Sequence, residues 1–282
     1  MCFVVWMIAV LSVSAQTADH QLDIPKGDLY KHTLKSKIYN GTVRDYWIYV
    51  PVKYDSSHAA NLMIFQDGEH MIWGGLEPLN TLDSLMDIGA IPVTIAVFIN
   101  YGYFPGSDKY AKEARLNRSH EYDTMNDTYA RFLEEEILPE LNKNYNLVNH
   151  SAGRAICGHS SGAICAWTVA WERPDLFSKV ISLNGSFVNI KGGDRYPYLI
   201  RNTDPKPIKI FLFTGENDGD SEHGNWFLAN QQMAAALKFA GYDYMFSYGA
   251  GGHHIKHAKE IFPETLRWIW SENKKIGVTD GL

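Results

Sequence analysis

Short, mostly apolar runs punctuate this chain, and longer stretches between them repeat their apolar residues every three or four positions. The runs are Asn61–Phe65 (NLMIF), Ile91–Ile99 (IPVTIAVFI), Arg154–Cys157, Val180–Leu183 and Ile208–Phe213 (IKIFLF). Segments this short and this apolar fit strands covered on both faces. Tyr244–Tyr248 reads as a further strand. Thr128–Tyr145 places Tyr129, Phe132, Leu133, Ile137, Leu138 and Leu141 at helical spacing, with acidic residues on the other side. Pro139 should bend it. Ala163–Trp171 is a helix of small and apolar residues. Ala229–Ala240 puts Ala229, Met233, Ala236, Leu237 and Ala240 on one stripe, and Gly241 stands where a C-terminal cap belongs. Pro263–Trp270 reads as the closing helix.

The pattern differs before residue 60. Thr33–Tyr39 and Thr42–Pro51 read as two strands joined at Asn40-Gly41, the dipeptide a type I′ turn prefers. Tyr46, Ile48 and Val50 alternate with Asp45, Trp47 and Tyr49, as in an antiparallel strand with two unlike faces. An antiparallel start followed by alternating strands and helices gives a mainly parallel sheet with helices on both faces. Residues 31–275 are expected to form one catalytic α/β domain, and 16–30 a polar N-terminal arm. Residues 1–15 (MCFVVWMIAVLSVSA) carry no charge and end on small residues, as a signal peptide does, although no Lys or Arg precedes the apolar stretch. That run is too short to span a membrane, and the expected location is secreted or periplasmic.

Composition narrows the classes. The 282 residues are 45% hydrophobic and 13% aromatic, enough for a large core, and the net charge of -6 comes without any basic run. Nucleic acid and anionic membrane surfaces are therefore not expected partners. The three cysteines make no disulfide framework: Cys2 would leave with the signal, and Cys157 and Cys165 read as small buried hydrophobes. Asn-x-Ser/Thr sequons such as Asn40-Gly41-Thr42 and Asn184-Gly185-Ser186 are explained by chance among many turn asparagines.

The chemistry lies in Gly158-His159-Ser160-Ser161-Gly162, a Gly-x-Ser-x-Gly pattern between an expected strand and an expected helix. That setting is what a nucleophile elbow requires, and it makes Ser160 the candidate nucleophile. The backbone N–H of Ser161 would point at a developing oxyanion. A serine hydroxyl needs a base, and this topology supplies acid and then histidine further along the chain. Glu216, Asp218 and Asp220 follow the Ile208–Phe213 strand. His253 and His254 follow Gly251-Gly252, with His257 one turn on. A metal reading of these histidines is weaker, because no carboxylate–histidine helix motif accompanies them; no cofactor is called for. The N–H of Gly68 or Glu69, after the Asn61–Phe65 strand, is the candidate second oxyanion donor. Trp226, in His223-Gly224-Asn225-Trp226, is either a stacking platform in the substrate cleft or a buried residue at a capped helix start. Arg118, with Glu121 and Tyr122, either orients substrate or forms an internal ion pair that pins its loop. His159, beside the nucleophile, is a further candidate substrate contact.

At these residues the chain resembles an esterase group within the α/β-hydrolases. The group includes enterochelin (siderophore) esterases, feruloyl and acetyl-xylan esterases of carbohydrate esterase family one, esterase D and the mycolyltransferases. The resemblance runs over about residues 35–270. It is carried by Phe65–Glu69 (FQDGE), Arg118–Asp123 (RSHEYD) followed by YARFLEEEILPEL, and then GHSSG, GENDGD and GGHH. By position it implies Ser160 as nucleophile, His253 as base and Asp218 as acid. It implies a serine ester hydrolase acting on a small-molecule or saccharide ester, and the signal-like N-terminus, with the feruloyl-esterase-like acid loop, favours an exported enzyme for aryl or acetyl esters of saccharides. The alternatives are a siderophore esterase, an acyltransferase with the same triad, and a non-catalytic carbohydrate-binding relative.

Overall fold

The apolar runs become the centre of one eight-stranded sheet in the computed structural model, which describes residues 26–271. The strands are β1 (Asp28–Lys35), β2 (Val43–Val50), β3 (Asn61–Gln66), β4 (Thr94–Ile99), β5 (Arg154–His159), β6 (Lys179–Leu183) and β7 (Lys209–Gly215). A short ribbon of β8 (Asp220–Ser221) and β9 (Gly224–Asn225) precedes the last sheet strand, β10 (Asp243–Gly249). Sheet order is β1-β2-β4-β3-β5-β6-β7-β10. β2 runs antiparallel to β1 and β4, and every other neighbouring pair is parallel.

Each sheet face has its own core, because side chains alternate along a strand. Ile64, Val97, Ile156 and Ile210 point to one side. There they pack with α4 (Thr128–Phe132), α5 (Leu138–Asn144), α6 (Ser161–Glu172), α7 (Tyr196–Arg201) and α8 (Trp226–Ala240) through Phe132, Leu141, Trp167, Ile200 and Met233. Phe65, Phe98, Cys157 and Phe211 point to the other side. They meet α1 (Gly68–Trp73), α2 (Pro78–Asp87) and α9 (Phe262–Trp270) through Met71, Leu82, Phe262 and Leu266. Cys157 and Cys165 are both buried, free thiols.

The first hairpin departs from expectation. β1 begins at Asp28, inside the segment expected as an arm, and the connection spans residues 36–42 rather than a two-residue turn. A type I′ turn needs φ > 0 at both central residues, and only Gly41 has it, at 84°. The loop is held instead by Glu136 Oε1, which accepts from the N–H groups of Lys37 (2.7 Å) and Ile38 (2.6 Å). β2 is paired with β1 and β4 along its edges and buried on both faces. Its alternation sends Tyr46 and Ile48 to one core, and Trp47 and Tyr49 to the other. The 128–145 helix is interrupted by a π-turn at Leu133–Ile137 just before Pro139, which absorbs the missing N–H and the ring. The polar helix α3 (Lys112–Tyr122) lacks an apolar stripe that the sequence could show. Residues 1–15 and most of the expected arm lie outside the described residues. Among the described residues no helix is long and apolar enough to cross a membrane.

One buried ion pair ties α3 to the sheet. Arg44 on β2 donates to both Glu121 carboxylate oxygens, at 2.7 and 3.0 Å, and both side chains are fully buried. Glu121 also accepts from Asn117 Nδ2 (2.8 Å) and the Gly102 N–H, and Arg44 lies over the Phe132 ring. Glu121 raises the Arg44 pKa against the opposing effect of burial. Removing one partner strands the other charge in the core, which costs about 3–5 kcal/mol. Glu121→Ala should therefore lower the unfolding free energy by about that much in a urea titration, whereas Glu140→Ala, at an exposed surface pair, should cost less than about 1 kcal/mol.

Candidate active site

Ser160 stands between the end of β5 and the start of α6 with φ 59° and ψ -123°. L-residues rarely adopt such angles, and the neighbouring glycines make them possible. A Cβ on Gly158 would sit 2.0 Å from the Gly162 carbonyl oxygen, and one on Gly162 would sit 3.0 Å from Asp67 Oδ2 and Gln66 Cβ. The turn is closed by the Ser160 N–H to Leu183 O (3.0 Å) and by the Ser186 N–H to Ser160 O (3.2 Å).

Strand ends bring two further groups to Ser160. His253 Nε2 lies 2.8 Å from Ser160 Oγ, and His253 Nδ1 lies 2.5 Å from Asp218 Oδ1. Asp218 follows β7, and its carboxylate is fully buried. It also accepts from Asn184 Nδ2 (2.6 Å), Thr214 Oγ1 (2.7 Å) and the Gly219 N–H (2.7 Å). Burial pushes its pKa up, but the bonds from His253, Asn184, Thr214 and Gly219 outweigh it and hold the carboxyl well below the usual carboxylate range. The group is ionised at neutral pH, so it can only accept, and His253 carries its proton on Nδ1 with Nε2 free to take one from Ser160. Glu216 and Asp220 are exposed and away from this chain of bonds, and His254 is exposed too. Gly251 and Gly252 both keep ordinary φ, so the pair is required by close packing rather than by backbone freedom. A Cβ on Gly251 would sit 2.2 Å from His257 Nδ1.

The expected oxyanion donors separate. Glu69 N–H donates to Asn100 Oδ1 at 2.9 Å and is committed there. Among the described residues the N–H groups of Gly68 and Ser161 have no acceptor. Each opens a helix, where orphan N–H groups are found, and the Gln66-Asp67 turn that carries Gly68 packs on Gly162.

Three expected substrate contacts are placed differently. Arg118 forms a two-pronged pair with Asp67, Nε to Oδ1 and Nη2 to Oδ2, both at 2.7 Å. It holds Asp67 in a left-handed turn (φ 54°), and the Asp67 N–H donates to Tyr122 Oη. Its fork is spent on the loop, not offered to a ligand. Trp226 is 8% exposed at the capped start of α8, where Asn225 Oδ1 accepts from Leu228 N–H. Its ring packs edge-on against His253, with centroids 5.6 Å apart, so it walls the site rather than offering a stacking face. His159 is buried between the rings of His70 and His253, and burial drives its pKa well below the usual histidine range. It stays neutral and packs on the His253 ring.

The residues that sequence reasoning missed are Asn184 and Ser186, read only as a chance sequon. Both are fully buried at the end of β6. Asn184, at φ 51°, donates to Asp218, and Ser186 Oγ lies 3.2 Å from Ser160 Oγ. The only available signal was their place after an apolar strand, the same logic that finds Asp218.

A cleft of about 340 Å³ is lined by Asp67, Glu69, His70, Trp73, Asn100, Tyr101, Tyr103, Lys109 and Tyr110; Asp67 adjoins Gly162 and His70 adjoins His159, and Ser160, Asp218 and His253 lie outside its wall. Trp73 and Tyr110 are 61% and 60% exposed. Glu69 is paired with Lys109 Nζ at 2.8 Å, which together with Asn100 and Tyr110 keeps the carboxylate ionised against burial.

The strand order, the strained serine turn and the helices on both faces define an α/β-hydrolase. Within that class, the family model described as "Putative esterase" matches residues 39–269, and the chain belongs to this family. A Bacillus subtilis (strain 168) protein, "Uncharacterized protein YbbA", is 20% identical over 262 residues, covering 88% of this chain and 98% of that one. Among solved structures, the enterobactin esterase FES from Shigella flexneri aligns with a TM-score of 0.68 and 20% identity over 88% of this chain. The chain spans 62% of the length of that esterase. The CE1 ferulic acid esterase AmCE1/Fae1A from the anaerobic fungus Anaeromyces mucronatus aligns with a TM-score of 0.69 and 19% identity, over 89% of this chain and 93% of that one. At these identities the likeness to solved structures shows the fold alone.

The bonding around Asp218 leads to a graded expectation for the three carboxylates. Asp218→Asn should lower kcat on a model ester on the order of 10³- to 10⁴-fold, because an amide in that place selects the wrong histidine tautomer. Asp220→Asn and Glu216→Gln should stay within about twofold of the parent. Equal losses at all three would mean that no single acid is dedicated.

Proposed function

We propose that this esterase is a serine carboxylic-ester hydrolase that works through an acyl-enzyme on Ser160. The observation that carries the reading is the unbroken chain Ser160 Oγ, His253 Nε2, His253 Nδ1, Asp218 Oδ1, with contacts of 2.8 and 2.5 Å on either side of the imidazole. Ser160 Oγ attacks the ester carbonyl carbon as its proton passes to His253 Nε2. The carbonyl oxygen becomes an oxyanion that the N–H groups of Ser161 and Gly68 receive. Collapse breaks the bond to the alcohol, which leaves with the proton from His253, and the acyl group stays on Ser160. Water then gives its proton to His253 and attacks the acyl carbon. Ser160 departs and takes that proton back, and a carboxylic acid is released. Asp218 orients the imidazole and stabilises its charged form throughout.

The substrate reading is an aryl or acetyl ester of a saccharide, met outside the cytoplasm. The cleft that reaches the elbow through Asp67 and His70 supports it: exposed Trp73 and Tyr110 offer flat faces, and Glu69 and Asn100 offer polar atoms suited to hydroxyl groups. The charge of Glu69 is matched by Lys109, so a neutral ligand is preferred over an ionic one. The export reading rests on the signal-like residues 1–15.

Ser160→Ala should remove nearly all turnover, a loss on the order of 10⁶-fold for a triad nucleophile, with an unchanged circular dichroism spectrum. A variant keeping more than about a tenth of the parental rate would sink the assignment. In a panel of methyl ferulate, acetylated xylan, enterobactin and long-chain lipid esters, the saccharide and aryl esters should be turned over fastest. Preference for enterobactin would redirect the substrate reading to a siderophore lactone, and preference for long-chain lipids would overturn it, with the triad untouched in both cases.

A further inference from the structure

Ser186 is fully buried where the chain leaves β6, and its hydroxyl has two neighbours that decide its direction. Trp226 Nε1 lies 3.0 Å from Ser186 Oγ, and Ser160 Oγ lies 3.2 Å from it. An indole N–H only donates, so it occupies a lone pair of Ser186 Oγ. The single hydrogen of Ser160 points to His253 Nε2, because ionised Asp218 holds the other histidine nitrogen in its N–H form. One direction is left for the contact between the two serines: Ser186 O–H donates to Ser160 Oγ.

We propose that Ser186 is a fixed hydrogen-bond donor to the nucleophile oxygen, and that Trp226 is the positioning residue that fixes it. The proposal rests on the hydrolase reading above and adds a group to it. A donor aimed at Ser160 Oγ does little for a neutral hydroxyl. It does more for the negative charge that grows on that oxygen as it loses its proton and attacks, and again as it leaves the acyl carbon in the second half-reaction. Hydrogen bonds to charged acceptors are roughly twice as strong as neutral ones, and only the excess in the transition state raises the rate. The donor costs no reorganisation at that moment, because burial, the Trp226 N–H and the Ser186 N–H bond to Ser160 O already hold it in place. Asn230 secures the same corner from α8, its Nδ2 donating to Gly185 O (2.8 Å) and Trp226 O (2.9 Å). The pattern also explains why Trp226 sits edge-on to His253: the indole is turned so that its N–H reaches Ser186.

The test measures two rates on the full chain and its variants: kcat and KM on the best ester of the panel, and the rate at which a fluorophosphonate probe labels Ser160, which needs no ester substrate. Ser186→Ala should lower kcat and the labelling rate together, on the order of 10- to 100-fold, with KM within about twofold and Tm lower by only a few degrees, from the indole N–H left without an acceptor. Trp226→Phe keeps an aromatic ring, though a smaller one, and loses the donor, so it should show a smaller loss of the same kind in the parent. The loss should be clearly smaller in the Ser186→Ala background, since the indole N–H acts through Ser186 while its ring packs on His253 in both. Parental labelling by Ser186→Ala, or the same loss from Trp226→Phe in both backgrounds, would overturn the proposal and leave the triad standing. No labelling of Ser160 in the parent protein would take down the hydrolase reading itself, and this proposal with it.

Discussion

The left-handed turn at Ser160 is the constraint on which the rest of the site depends. A residue held at φ 59° stores on the order of 1–3 kcal/mol of backbone strain, and it persists only where its surroundings over-determine it. Here they do. Gly158 lets the turn fold back onto Gly162, β6 supplies an acceptor to the Ser160 N–H, and Ser186 supplies a donor to its carbonyl. The turn lifts Oγ off the end of β5, and the groups assembled around it come from the ends of other strands. Asn184 and Ser186 follow β6, Asp218 follows β7, His253 follows β10, and Asp67 and Gly68 follow β3. A parallel sheet delivers this because all those strands finish at one edge.

Charges near the site are mostly matched within the protein. Arg118 answers Asp67, Lys109 answers Glu69, and Arg44 answers Glu121 one layer below. Each pair fixes a segment of the cleft wall: the turn after β3, the loop after β4, and α3 beneath that loop. His159, which packs on His253, and His70, which packs on His159, add little competing charge, because burial is the main cause that lowers the pKa of both. In the proposed mechanism, the imidazolium on His253 is therefore met by Asp218 without a histidine cation packed on its ring. What remains for a ligand is aromatic surface and a few polar atoms, a composition that selects by shape and hydroxyl pattern rather than by charge.

Much of this was legible in the chain itself, for definite reasons. Doubly covered strands leave uninterrupted apolar runs, so β3, β5, β6 and β7 could be marked within a residue or two. An elbow needs its glycines, so Ser160 could be marked as well. His253 was named by the Gly-Gly before it, although the physical reason is the crowding of Gly251 against His257 and not backbone freedom. Asp218 could not be told from Glu216 or Asp220 by residue type alone, since what distinguishes it is the set of donors from β6 and β7 that only the fold assembles. Arg118 and Trp226 each carried two readings, and in both the structure realises the internal one. Asn184-Gly185-Ser186 matched a glycosylation pattern, which hid residues whose side chains face Asp218 and Ser160. Contacts between distant strand ends leave no local period, and that is why this corner was missed.

Trapping the acyl-enzyme tests the central claim most directly. The parent protein would be mixed with p-nitrophenyl acetate, quenched in acid during turnover and digested for peptide mass spectrometry. One acetyl group should appear on the peptide containing Ser160, with fragmentation placing it on that serine, and none in Ser160→Ala. Turnover with no acylated intermediate, or an acetyl group carried by Ser161 or a histidine while Ser160 stays free, would contradict the claim.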